Sequence, residues 1–174
     1  MVQKARGDLA SGMDALGMYE DANVLFQEGV TALKDCHGPE NLQVATALQH
    51  QASVTAKLKQ ADTARAMYDE ARSIVQRKVG EQHLAYAALM NNYGYFLKTQ
   101  GEFKEAAAFY EHALEIRNKK LDVDHPDSIT TLHNLAELRR SEGDEEGAQL
   151  LQRDILTRLG VSREDVEEPV VAQK

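Results

Sequence analysis

The sequence predicts an all-α fold, a right-handed superhelical solenoid of antiparallel helix pairs. Three observations carry that expectation. The 174 residues include only three prolines and no tryptophan, and Ala, Leu, Glu, Gln and Lys are abundant, which favours helix. Apolar residues recur at helical spacing, as in Leu89, Tyr93, Phe96, Leu97 and then Phe109, Ala113, Ile116, not at alternate positions. Above all, the chain repeats at an interval of 42 residues, and periods of that size mark stacked supersecondary units.

The signature of the repeat is small, aromatic, small. Ala106, Tyr110, Ala113 and Ile116 fall on Ala64, Tyr68, Ala71 and Ile74 one period earlier, and on Ala22, Phe26 and Gly29 before that. One period later Ala148 keeps the small position, with Gln152 and Ile155 following. A second set is in phase: Leu48, Met90 and Leu132, then Ala52, Gly94 and Ala136. Asn92 matches Asn134, with His50 and Asp8 at the earlier equivalents. The breakers HGPEN (37–41), VGEQH (79–83) and LDVDH (121–125) recur at the same interval.

Each unit therefore reads as helix, short turn, helix, loop. Helices are expected over 2–16 and 19–36, 41–58 and 61–78, 83–100 and 103–120, 127–141 and 144–159. The units run 1–38, 39–80, 81–122 and 123–160, and together form one array over 1–160. An acidic tail, 161–174, follows, with a short helix from Ser162 to Glu168 and disorder after it. Asp127 or Asp124 is expected to cap the helix after Pro126, and Gly160 to end the last one. The opening helix is the weakest, because Gly7, Gly12 and Gly17 each cost up to about 1 kcal/mol relative to Ala in a helix interior. Leu151 and Ile155 are expected to remain partly exposed.

The alanines have a packing reason. Two antiparallel helices approach closely only where contact positions lack bulk, and the neighbouring Tyr or Phe fills the adjoining gap. One helical hairpin cannot bury its face alone, so units stack and the core runs along the array.

Composition excludes several function classes. The formal charge of −8 argues against nucleic acid or an anionic membrane surface as the main partner. The single cysteine, Cys36, rules out an internal disulfide framework and points to a reducing, cytoplasmic setting. No apolar run reaches membrane-spanning length. The first residues lack a secretory signal's apolar core, and Asp8 and Asp14 argue against a mitochondrial presequence.

These residues resemble the tetratricopeptide repeat, whose pattern has a small residue late in the first helix, then Ala, aromatic and Ala in the second. Gly94, Ala106, Tyr110 and Ala113 stand at the matching places. The 42-residue period, against about 34 for the usual repeat, is similar to the kinesin-light-chain subtype, as are the DHPD loop (124–127) and the NLA sequence (134–136). The resemblance covers roughly residues 3–159, with the first unit departing most.

The resemblance implies a concave groove along the first helices that binds an extended peptide. Carried over by register, groove positions are Thr46, Gln49, His50, Ser53 and Lys57, then Asn91, Asn92, Tyr95 and Lys98, then His133, Asn134, Glu137 and Arg140. An Asn side chain offers both donor and acceptor, so Asn92 and Asn134 suit a clamp on peptide backbone. Lys57, Lys98 and Arg140 would draw in an acidic segment. The expected function is a protein-interaction scaffold or adaptor. The alternative is an assembly factor or structural subunit of a larger complex, in the cytoplasm or in mitochondria, acting through its convex face and ends.

Other chemistries find no support in the residues. A C-terminal-carboxylate clamp fails, because Lys4 is followed by Asp8 and the third unit has Ala88 before Asn92. The cluster of Asp122, Asp124, His125 and Asp127 lacks the glycine and distal Glu of a calcium-binding EF-hand loop. Cys36 beside His37 is not a nucleophile–base pair by spacing. Phosphate-binding glycine loops, zinc pairs and a Gly-x-Ser-x-Gly elbow are missing from the sequence. No enzyme activity, cofactor or metal is expected.

Overall fold

The computed structural model describes residues 2–161, with side chains from Arg6 onward. Residues 162–174, on which the expected tail helix falls, lie outside that range. The described residues form eight helices and no strand: α1 (Val2–Ala15), α2 (Tyr19–His37), α3 (Leu42–Lys57), α4 (Ala61–Val79), α5 (Leu84–Thr99), α6 (Phe103–Lys120), α7 (Pro126–Ser141) and α8 (Glu145–Arg158). Every boundary falls within one residue of its expected position. Consecutive helices pack together all along the chain, and the first helices of successive units also touch: α1 with α3, α3 with α5 and α5 with α7. That is a helix-pair solenoid.

The repeat extends to the caps. The first helices of the later three units start at Asn41, His83 and His125, which share one register. Each accepts a hydrogen bond from the backbone N–H two residues on, at 2.8, 3.0 and 3.1 Å respectively. The cap at Pro126 is thus His125 Nδ1, not Asp127 or Asp124, because its ring nitrogen reaches the free N–H of Asp127. Inside each unit the turn has positive φ at Gly17, Gly101 and Gly143, and at Lys59 (φ 62°), which stands where the others have glycine.

Small residues set the helix spacing. Ala22, Ala64, Ala106 and Ala148 are all fully buried. A Cβ on Gly94 would lie 3.0 Å from Cε1 of Tyr110 and 3.3 Å from the carbonyl oxygen of Ala106. Between the second and third units sits an aromatic cluster. Tyr68 stacks on Tyr93 at 4.7 Å, and Phe109 meets Tyr93 edge-on at 5.0 Å. Such pairs contribute about 0.5–1.5 kcal/mol each beyond burial.

The two ends are thinner. Within α1 only Ala10 is buried among the described side chains, whereas α5 buries nine residues. At the other end Ile155 is buried, contrary to expectation, because it packs inside the last unit; Leu151 stays partly exposed as expected, and Leu150 and Leu159 are exposed.

Candidate binding groove

The expected groove residues lie on the face shared by α3, α5 and α7, and two side-chain bridges join those helices. Asn134 Nδ2 donates to Asn91 Oδ1 at 3.0 Å, and Asn92 Nδ2 donates to Gln49 Oε1 at 3.3 Å. Asn91 Nδ2 reaches Asn92 Oδ1 at 3.5 Å and links the two bridges into one amide ladder. Both bridges span 43 residues, one more than the repeat period. Positions 49 and 91 therefore face the first helix of the following unit, and positions 92 and 134 face that of the preceding one.

The ladder divides the expected site. Asn91, at 8% exposure, and Gln49 are buried within it. Asn92 and His133 are exposed, and Asn134 is half-buried. The outer polar atoms of Asn92 and Asn134 remain open to a ligand, whereas Asn91 serves its neighbours.

The cationic edge is paired. Lys57 Nζ lies 2.5 Å from Asp14 Oδ1 and 5.3 Å above the Tyr19 ring. Lys98 Nζ lies 2.7 Å from Glu137 Oε2 and 5.3 Å above the Tyr95 ring. The ammonium of Lys98, donating to Glu137, holds that carboxyl below the ordinary glutamate range. Arg140 is 3.9 Å from Glu145. Charge attraction toward an acidic ligand is correspondingly reduced, since each cation already faces a carboxylate. Asp14 and Tyr19 were not among the expected site residues; the only sequence signal for Asp14 is an opposite charge 43 residues before Lys57. Between α3 and α5 the same face holds a recess of about 290 Å³ rimmed by Lys57, Tyr95 and Ser53, with Tyr68 and Phe96 among its lining.

A larger recess, about 440 Å³, opens between α1, α2 and α3. Its walls include Leu25, Phe26, Leu33 and Ala47, and its polar groups include Arg6, Asp8, Thr46 and His50. The His50 ring tilts against Phe26 at 5.8 Å. Burial lowers its pKa, with the charge of Asp14 acting in the opposite direction. Among the described residues no group of three or more His, Cys, Asp or Glu side chains could hold a metal ion.

The tetratricopeptide repeat model matches residues 43–119 and, overlapping, 86–159. The chain belongs to the tetratricopeptide repeat family. That match begins in the second unit, in keeping with the departure of the first. BtubC (BKLC) from P. vanneervenii has a similar structure, with TM-score 0.77, 22% identity, and coverage of 99% of this chain and 68% of the other. A candidate kinesin light chain from Podosopora anserina with nearly identical TPR-like repeats aligns with TM-score 0.79 and 18% identity, over 92% of this chain and 76% of that one. The pilF structure of Pseudomonas Aeruginosa aligns with TM-score 0.65 and 21% identity, over 90% and 60%. At these identities the likeness is one of fold, and it includes kinesin-light-chain-like members. No curated protein matches the sequence significantly.

Proposed function

We propose that this protein is a scaffold or adaptor that binds an extended peptide segment of a partner in the groove of its first helices. Tetratricopeptide repeats mediate protein–protein interaction, and the observation that supports the groove here is the amide ladder. Its hydrogen bonds fix Asn92 and Asn134 in place while leaving each side chain a free acceptor lone pair or N–H, so both can meet a peptide backbone without first being ordered. His50, Tyr95, His133 and Arg140 complete the surface. An acidic ligand would bind by exchange, its carboxylates displacing Asp14 from Lys57 and Glu137 from Lys98. The proposed protein is not an enzyme and works in the cytoplasm. No helix among the described residues is long and apolar enough to cross a membrane.

The test is the double substitution Asn92→Ala and Asn134→Ala, with affinity purification and mass spectrometry from the native cells. Partners captured by the wild type should be lost while the helical circular-dichroism spectrum is retained. An unchanged partner set would overturn the groove proposal.

A second function is favoured by the open ends. Leu9 shares its register with Gln51, Tyr93 and Leu135, all buried against the preceding unit, yet is 54% exposed. Leu159 shares its register with the buried Val75 and Arg117 and is 51% exposed. Stacking onto another helical protein would cover both, as in an assembly factor or structural subunit, in the cytoplasm or in mitochondria. A monodisperse monomer that co-purifies with no stable complex would rule this out.

A further inference from the structure

The amide ladder stops one rung short. Asn134 pairs with Asn91 and Asn92 pairs with Gln49, each 43 residues back. By the same offset His50 should pair with residue 7, which is Gly7 and has no side chain. Among the described residues no side-chain hydrogen bond holds the His50 ring, whose neighbour is Phe26. The 440 Å³ recess lies at this place, lined by both Gly7 and His50.

A second glycine enlarges it. Gly29 stands where the next two units have the fully buried Ala71 and Ala113. A Cβ built on either Gly7 or Gly29 would meet nothing within 4 Å, so space is open at both. Pockets that hold organic groups run to about 300–1,000 Å³, mostly apolar with a few placed polar atoms, and this one conforms. Its lining carries one cation, Arg6, and one anion, Asp8, and Arg6 also lies 3.9 Å from Glu28 outside the lining. Nothing there selects a charged ligand.

We infer that this recess is an anchor pocket for one neutral aliphatic side chain of the groove-bound peptide, whose adjoining peptide group takes the place of the missing amide opposite His50. The side chain lies against Phe26, Leu25, Leu33 and Ala47. The peptide group, donor and acceptor at once, pairs with the imidazole. Partial desolvation lowers the pKa of that imidazole, and its neutral form has one donor and one acceptor nitrogen. The pocket specifies the residue class at one position of the peptide and so deepens the groove proposal on which it rests.

The test uses N-acetyl-leucine N′-methylamide as probe, followed by amide chemical shifts of the full chain, with N-acetyl-glycine N′-methylamide as the side-chain-free control. The leucine probe should shift Phe26, Gly29, Thr46 and His50 in a saturable way, and the glycine probe should not. Gly29→Ala places in the pocket the methyl group that the next two units carry, and Gly7→Asn restores the missing amide. Both replace a helix glycine and should keep or raise the melting temperature. Each should weaken the leucine probe about ten-fold, the scale of one group intruding on an occupied pocket. Absence of saturable shifts at these residues, equal response to the glycine probe, or undiminished binding in both variants would overturn the pocket. The Asn92→Ala, Asn134→Ala protein should bind the probe normally. Loss of partner capture without probe binding therefore removes the pocket alone, and probe binding with unchanged capture removes the groove alone.

Discussion

The Cα of Gly94 lies so close to the ring of Tyr110 that an added Cβ would sit 3.0 Å from Cε1 and 3.1 Å from Cδ1. Among the described residues Gly94 is the one glycine whose added Cβ would meet another helix, and the contact joins α5 to α6. Gly94→Ala gains about 1 kcal/mol of helix propensity but overpacks the contact, at about 1–3 kcal/mol. The expected result is a net loss near 1 kcal/mol, seen as a melting temperature lower by about 2–4 °C. A higher melting temperature would show that α6 moves away freely.

Tyr110 and Tyr93 should respond oppositely to loss of their hydroxyls. Tyr110 Oη is fully buried with no hydrogen-bond partner, whereas Tyr93 Oη donates to Asp69 Oδ1 at 3.1 Å. An unpaired buried hydroxyl costs about 1–3 kcal/mol, and a made hydrogen bond contributes about 0.5–1.5 kcal/mol. Urea denaturation should find Tyr110→Phe neutral or stabilising and Tyr93→Phe destabilising by about 1 kcal/mol. The reverse order would mean that Tyr110 has a partner in solution.

Arg117 is 5% exposed and ties the third unit to the fourth. Its guanidinium donates to the carbonyl oxygen of Asp127 at 2.8 Å and to Thr131 Oγ1. Arg117→Ala removes both hydrogen bonds and opens a void, while Thr131 Oγ1 still donates to the Asp127 carbonyl at 3.0 Å, so a loss of about 2–3 kcal/mol is expected. Arg117→Leu should cost less, since Val75 and Leu33 serve the same register in earlier units. Equal losses in chemical denaturation would show that the hydrogen bonds, not the filled volume, hold the units together.

Stability should fall at both ends of the pH scale. Burial, with help from the charge of Asp69, pushes the Tyr93 hydroxyl up from 10.0 to about 12. The folded state then holds its proton more tightly than the unfolded one, so this contribution is complete below pH 10 and is lost as pH rises toward 12. His50 is shifted the other way, below 6.5, by burial. Its contribution is complete above 6.5 and declines as pH falls. Thermal melts across pH 4–12 should show both declines, and His50→Gln should flatten the acid side. An acid limb unchanged in that variant would remove His50 from the account.

Much of the architecture could be read from residue order. The 42-residue phase placed all eight helices to within one residue, because apolar periodicity and Gly-rich turns are local properties. The site was less legible. Asn92 and Asn134 were recognisable by register, but Asn91 was expected to face the groove and lies instead inside the amide ladder. Similarly, Lys57 and Lys98 read as a free basic edge until Asp14 and Glu137 were found beside them. The recess at Gly7 and Gly29 went unnoticed, because a missing side chain gives no signal except against its equivalents in other units.

The sequence alone determined the helix pairs, their order and the family, since burial of one apolar face per helix leaves a repeating chain few other ways to fold. Only the tertiary structure decided which polar groups meet. That depends on how successive first helices dock, which turns positions 49 and 91 toward the following helix and positions 92 and 134 toward the preceding one, and no local preference encodes it. The same docking pairs Asn92 with Gln49 and sets His50 opposite Gly7.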